Sequence, residues 1–390
     1  MTQRERYHRF ITGQQPEDMP LWGDWIGPYD TWVSQGMPPA PDKYMTDGGR
    51  GINHYMCDYF ASEGRYSAFW GTGRLPVNVG VAPTFVVEVL EKDENYMIYR
   101  NTEGMIIREM TEKNSTLTTQ QYLDHALHGS HDWPDFRDNH LDPYHPSRYP
   151  DAAKWLQIVN QCHERDWVVT IDGGGFYGMI RNWMSVEGIS FALYEEPEWV
   201  CEVVDYMADF YIKILTRAVT DIPDIDIALF WEDMCYKNGP LCSPEMFRRF
   251  FLPGYKKVTN YLRDNGVTSF WVDCDGNIDL LIDLWIEGGV NGFYPLERAA
   301  GMDAYSLKQK YGDKVLLWGG IDKRAIAAGF EAIERELEHA KKAVMLGGYI
   351  PLCDHGVPED ISFTNYCYYD RRRKEMFGLK ILPTNKPYNW

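Results

Sequence analysis

The chain has 390 residues, 44% of them hydrophobic and 15% aromatic, with a formal net charge of −18. A surface so acidic repels nucleic acid and anionic membranes, which sets both aside as partners. No apolar run reaches membrane-spanning length, so the expectation is a water-soluble protein with no membrane partner.

In chain order, Met1-Thr2-Gln3-Arg4-Glu5-Arg6 is polar and leads into no apolar signal segment. Eight scattered Cys without a paired framework fit a reducing cytoplasm. Residues 84–110 alternate in a strand-like way, with turn signals at Asp93-Glu94-Asn95 and Asn101-Thr102-Glu103-Gly104, which predicts an antiparallel excursion. Residues 132–150, rich in Pro, Asp and His, read as a surface connection. The crowded His125, His128, His131, His140 and His145 show no metal-ligand spacing. Residues 197–215 place Val200, Val203, Val204, Met207, Phe210, Tyr211 and Leu215 at helical intervals.

Six short apolar strands each run into a polar or acidic end, at Asp172, Glu232-Asp233, Asp273-Cys274-Asp275, Glu297, Asp322 and Cys353-Asp354-His355. Helical stretches separate the last five. Ser243-Pro244-Glu245 starts a helix that bends at Pro253 and stops at Asn265-Gly266. Further helices are predicted over 277–286, 303–310 and 323–345, and Arg371-Arg372-Arg373-Lys374 reads as the solvated face of a final helix. Parallel strands joined by helices place their carboxyl ends on one face. The fold class is therefore α/β, a TIM barrel or a doubly wound fold, with an N-terminal antiparallel β excursion. No linker divides residues 1–390, so a single barrel domain is expected.

Polar strand ends on one barrel face point to an enzyme. Glu232, Asp273 and His355 are the candidate catalytic groups. Asp273 and Asp275, two residues apart on a strand, project the same way, and repel unless a cation or a shared proton lies between them. Glu232, Asp273, Asp275 and His355 form a candidate oxygen/nitrogen site for a divalent ion such as zinc, with Cys274 and Cys353 as possible thiolate ligands. Asp172-Gly173-Gly174-Gly175-Phe176-Tyr177-Gly178 lacks a dinucleotide fingerprint and any P-loop Lys; it reads as backbone approaching a ligand, with Tyr177 over it. Asp322, after Gly319-Gly320-Ile321, reads either as part of such a site or as a helix cap.

Ser243-Pro244-Glu245-Met246-Phe247, Asp273-Cys274-Asp275-Gly276-Asn277, Gly319-Gly320-Ile321-Asp322, and Val357-Pro358-Glu359-Asp360 before Asn365-Tyr366 together resemble the uroporphyrinogen decarboxylase superfamily of (β/α)8 barrels. The resemblance spans nearly the whole chain and is strongest from Trp231 to Tyr369. Decarboxylases of this superfamily hold acid groups with an Arg-rich segment, and the matching Pro20-Leu21-Trp22-Gly23-Asp24-Trp25 has no Arg. The other branch comprises corrinoid-dependent methyltransferases, including O-demethylase components. Their zinc motif His-x-Cys-Gly falls here on Asp273 and Asp275, and the later Cys falls at or near His355, which replaces sulfur by oxygen and nitrogen.

The resemblance implies a methyl group moved, with metal assistance, from a small methoxylated aromatic to a corrinoid on a partner protein. Trp22, Trp25, Tyr177, Trp231 and Trp271 would clasp the ring. A homodimer is compatible with this. Alternatives are a uroporphyrinogen decarboxylase-type decarboxylase, a glycoside hydrolase using paired carboxylates, and a non-catalytic barrel that binds a small molecule.

Overall fold

The computed structural model describes residues 1–13, 19–62, 73–110 and 120–379. The strand-like alternation of residues 84–110 forms an antiparallel sheet of β1 (Glu88–Lys92), β2 (Tyr96–Arg100) and β3 (Ile106–Met110), to which β4 (Gln121–Asp124) adds a fourth strand. Its turns use local side-chain acceptors, as expected for Asp and Asn. Asp93 Oδ1 accepts the N–H groups of Asn95 and Tyr96 at 2.7 and 2.8 Å, and Asn101 Oδ1 those of Glu103 and Met105 at 3.0 and 2.9 Å.

The second sheet carries the site. It comprises β5 (Thr170–Gly174), β6 (Ile227–Trp231), then, after a small hairpin of β7 (Cys235–Tyr236) and β8 (Gly239–Pro240), β9 (Ser269–Asp273), β10 (Gly292–Leu296), β11 (Leu316–Ile321) and β12 (Tyr349–Cys353). Its order is β12-β11-β10-β9-β6-β5, and every pair is parallel. Burial on both faces explains why these strands read as continuous apolar runs.

An extended segment lies along each edge. Thr170 N–H donates to the Gly73 carbonyl and Leu75 N–H to the Thr170 carbonyl, so residues 73–75 run beside β5. Residues 24–27 run beside the end of β12, where Val357 N–H donates to Trp25 O at 2.7 Å and Cys353 N–H to Asp24 Oδ1 at 2.7 Å. The expected eight-stranded ring is thus observed as six laddered strands with an extended flank on each edge. Among the described residues no strand pairing joins the two flanks.

The helix Gln3–Gly13 covers the amino end of the sheet. Tyr7 Oη meets Ser269 Oγ at 2.7 Å and accepts the Trp271 indole N–H at 3.0 Å, while Arg4 and His8 both engage Asp226, just before β6. Trp22 stacks on Tyr7 and meets Trp318 edge-on. The amino end is therefore filled with packed rings.

Several helices depart from expectation. The 323–345 helix is two, Lys323–Ala328 and Phe330–Val344, because Gly329 breaks it at φ +105°. Within 277–286 only Ile282–Glu287 is helical, since Asn277 N–H is taken by the Tyr236 carbonyl and its side chain by Ala300 O. The connection 132–150 contains a helix, Trp133–His140. Ser243 caps its helix as expected, accepting Met246 N–H at 3.2 Å, and Pro253 sits where a wider turn over Phe247–Phe251 passes into the helix Leu252–Asp264. Among the described residues no helix is long and apolar enough to cross a membrane, and no disulfide joins the cysteines.

Candidate active site

At the carboxyl ends of the parallel strands lies a cavity of about 290 Å³ lined by Trp25, Trp231, Asp233, Asp273, Asp275, Tyr294 and His355. Period-two alternation sorts its lining. Trp231 and Asp233 face it while Glu232 does not, and Asp273 and Asp275 face it while Cys274 does not.

Glu232 corrects an expectation. Its carboxylate is buried on the far side of β6, where Oε1 accepts Phe176 N–H at 2.8 Å and the Tyr255 hydroxyl, and Oε2 accepts Gly178 N–H at 2.9 Å. Burial pushes its pKa up, and those three donors oppose the rise. It anchors the start of the helix Tyr177–Glu195 to β6 rather than joining the cavity. The glycines of 173–175 approach protein closely, Gly173 against the Phe230 ring and Gly174 against the Tyr211 ring. A Cβ on Gly175 would stand 2.0 Å from the Trp231 carbonyl oxygen.

Other expected positions are also placed elsewhere. Trp22 and Trp271 belong to the packed amino end. Tyr177 is buried edge-on against Phe251. Asp322 caps the helix Lys323–Ala328 and pairs with the Arg324 guanidinium at 2.7 Å. Cys274 and Cys353 are buried thiols whose pKa burial drives well upward, which disfavours thiolate; Cys274 Sγ accepts Met234 N–H at 3.4 Å.

What remains in the cavity is Asp273, Asp275, His355, Trp25 and Trp231, joined by Asp233 and Tyr294. His355 Nε2 stands 3.6 Å from Asp275 Oδ1, and the His355 ring packs against Trp25 with centroids 5.5 Å apart. Burial, then the carboxylates of Asp233 and Glu297, push Asp275 up to about 7, against the pull of Lys323 and Arg181. Burial, then Lys323, lowers His355 from its ordinary value. Asp354, behind this wall, is pushed up to about 6 chiefly by burial, and accepts the N–H groups of Arg298 and Lys323.

Asp233 and Tyr294 were present at strand ends in the sequence without being singled out. Asp233 sits at φ +44°, a left-handed conformation uncommon for a side-chain-bearing residue. Its carbonyl accepts Arg181 Nη1 at 3.0 Å, and its carboxylate lies 3.5 Å from Nη2. Arg181 also covers the Trp231 ring at 5.1 Å. Tyr294 stacks on Trp318 with centroids 4.0 Å apart. Gly276 turns the chain after Asp275 at φ +82°, where a Cβ would press on the Cys235 and Tyr236 carbonyls at 2.7 Å.

The metal donors expected from the sequence do not assemble. With Glu232 on the other side of β6, no group of three or more His, Cys, Asp or Glu among the described residues is disposed to hold a metal ion. Among the described residues this donor arrangement does not fit zinc.

A family model described as Uroporphyrinogen decarboxylase (URO-D) matches residues 180–369. That stretch, 190 of the 390 residues, is similar to the uroporphyrinogen decarboxylase family. The match begins inside the helix after β5 and takes in β6 to β12, the strands that carry every cavity residue except Trp25. Among solved structures, a methyltransferase from Methanosarcina mazei is similar over 97% of this chain and 99% of its own, with a TM-score of 0.59 and 15% sequence identity. At that identity the likeness concerns the fold. No curated protein matches the sequence.

Proposed function

We propose that this chain is a methyltransferase that moves a methyl group from a small methoxylated aromatic to a corrinoid carried by a partner protein. The observation that carries the reading is an aromatic-walled cavity in which a carboxyl pushed up to about 7 stands 3.6 Å from an imidazole. The superfamily match and the fold shared with a methyltransferase support it.

Aryl methyl ethers resist cleavage because phenolate leaves poorly, and proton delivery to the ether oxygen lowers that barrier. Asp275 retains a proton near neutral pH and can give it to that oxygen as the O–CH3 bond breaks, its electron pair staying on oxygen. The reduced corrinoid supplies the nucleophile that takes the methyl group. After the phenol leaves, the Asp275 carboxylate regains its proton from solvent, and His355 can relay it by taking up a solvent proton as a transient imidazolium and passing it across the 3.6 Å to Asp275. Trp25, Trp231 and Tyr294 offer ring faces and edges to the arene. A porphyrinogen with several carboxylates would meet Asp233, Asp273 and Asp275, which weighs against the decarboxylase alternative.

The test combines the protein, a reduced corrinoid protein and a panel of methoxyarenes, and follows methylcobalamin absorbance. Methylation that depends on Asp275 supports the reading. Tight arene binding with no methylation by any donor overturns it in favour of a non-catalytic binding barrel.

A further inference from the structure

One wall of the cavity is held from behind. Arg181 lies in the first turns of the helix Tyr177–Glu195, whose start Glu232 pins to β6 through the Phe176 and Gly178 N–H groups. From that fixed base Nη1 donates to the Asp233 carbonyl at 3.0 Å. Nη2 stands 3.5 Å from the Asp233 carboxylate and donates to Asn182 Oδ1 at 3.3 Å. The guanidinium lies over the Trp231 ring, 5.1 Å from its centroid. Asp233 keeps its φ of +44° only while such contacts hold it. Among the described residues the cavity wall includes Trp231 and Asp233 but not Arg181, so the guanidinium backs the wall from outside. Its side chain is 21% exposed, and partial burial preserves its field. Burial raises the Asp275 carboxyl while Lys323 and Arg181 oppose that rise, so the charge of Arg181 is felt across the wall.

We infer that Arg181 is a positioning residue that sets substrate specificity: it covers one face of Trp231, and the opposite face stacks on an electron-rich arene. This rests on the reading that the cavity takes a methoxylated aromatic. A guanidinium within about 6 Å of an indole is attracted by the negative ring face. It draws the π electrons toward itself, which leaves the far face less negative than in a free indole. Ring stacking is governed by the same charge distribution, so an arene enriched in electrons gains and a depleted one loses. Methoxy groups donate electron density to their ring, which matches the proposed substrate. Because Nη1 and Nη2 are also engaged by Asp233, the guanidinium cannot swing away and the Trp231 ring keeps a single orientation. Electron-withdrawing rings of the same size are thereby disfavoured without any steric exclusion.

The experiment uses the full chain and three uncharged ligands of similar size: para-methoxyanisole, para-methylanisole and para-cyanoanisole. Binding is measured by titration calorimetry near neutral pH. In the parent protein para-methoxyanisole is expected to bind at least about threefold more tightly than para-cyanoanisole, with para-methylanisole between them. Arg181→Met should bring that ratio close to one. Arg181→Lys, which keeps the charge, should hold the ratio above that of Arg181→Met. A purely structural role would weaken all three ligands by a common factor and leave the ratio unchanged, and that result overturns the inference. Equal ratios in the Met and Lys variants overturn it as well. Where a variant does not fold, the parent decides: para-cyanoanisole binding as tightly as para-methoxyanisole, or failure of all three to bind, ends the proposal. Methyl transfer to the reduced corrinoid protein is followed with the same ligands. Methylation without any binding preference leaves the methyl-transfer reading standing and sinks the role of Arg181. A preference that is lost in Arg181→Met, without methylation from any donor, does the reverse.

Discussion

His355 Nε2 stands 3.6 Å from Asp275 Oδ1, and burial drives the two groups in opposite directions. The carboxyl is pushed up to about 7 and the imidazole down from 6.5, so each is held toward its neutral form. Groups whose surroundings separate them from their ordinary values in this way are suited to acid–base roles.

Methyl transfer from an aryl ether should therefore need protonated Asp275, and its rate should fall as pH rises through about 7. Asp275→Asn should lower the rate by about 10²–10⁴-fold and abolish that fall. A pH–rate profile of both proteins checks this, and an unchanged alkaline limb in the variant would rule out Asp275 as the acid.

The same shift has a stability consequence of definite sign. A carboxyl whose folded value is raised from 3.8 to about 7 contributes fully below 3.8, and that contribution is lost as pH rises through 7. Asp275→Asn should accordingly melt higher than the parent. The difference should grow between about pH 4 and 7 and level off above, on the order of 1–2 °C once solvent screening of this part-exposed group is allowed for. Thermal unfolding at several pH values measures it.

Glu232→Ala would leave the Phe176 and Gly178 N–H groups and the Tyr255 hydroxyl without their buried acceptor. A loss of about 3–5 kcal/mol is expected, with Glu232→Gln in between. Denaturant midpoints decide this. A stable Glu232→Ala protein that loses only activity would return Glu232 to the catalytic set.

Gly175→Ala sets a methyl group 2.0 Å from the Trp231 carbonyl, where only backbone movement can relieve it. The expected cost is about 3 kcal/mol or more, read as a lower melting temperature and poorer soluble yield.

Trp25 is 43% exposed and packs on His355, so Trp25→Ala should disturb the site more than the fold. KM for the arene should rise about tenfold with a melting temperature within a few degrees of the parent. A large loss of stability with unchanged KM would make Trp25 a packing residue.

Much of the strand framework was legible because buried parallel strands are short, apolar and bounded by turns. β6, β9, β10, β11 and β12 lie where Leu229, Phe270, Phe293, Leu317 and Ile350 place them. The helix break at Gly329 was not legible, since the flanking apolar spacing continues through it. The flanks at 24–27 and 73–75 were not legible either, because they are held by isolated contacts to Val357 and Thr170 rather than by a repeating pattern.

The sequence by itself determined parity: Trp231 and Asp233 share a side and Glu232 takes the other, as Asp273 and Asp275 do around Cys274. Only the tertiary structure decided which side faces the cavity. Alternation along a strand has a period of two and no sign. Packing of the helix start at Phe176 and Gly178 against β6 turned Glu232 away, and that same packing left Trp231 and Asp233 for the cavity.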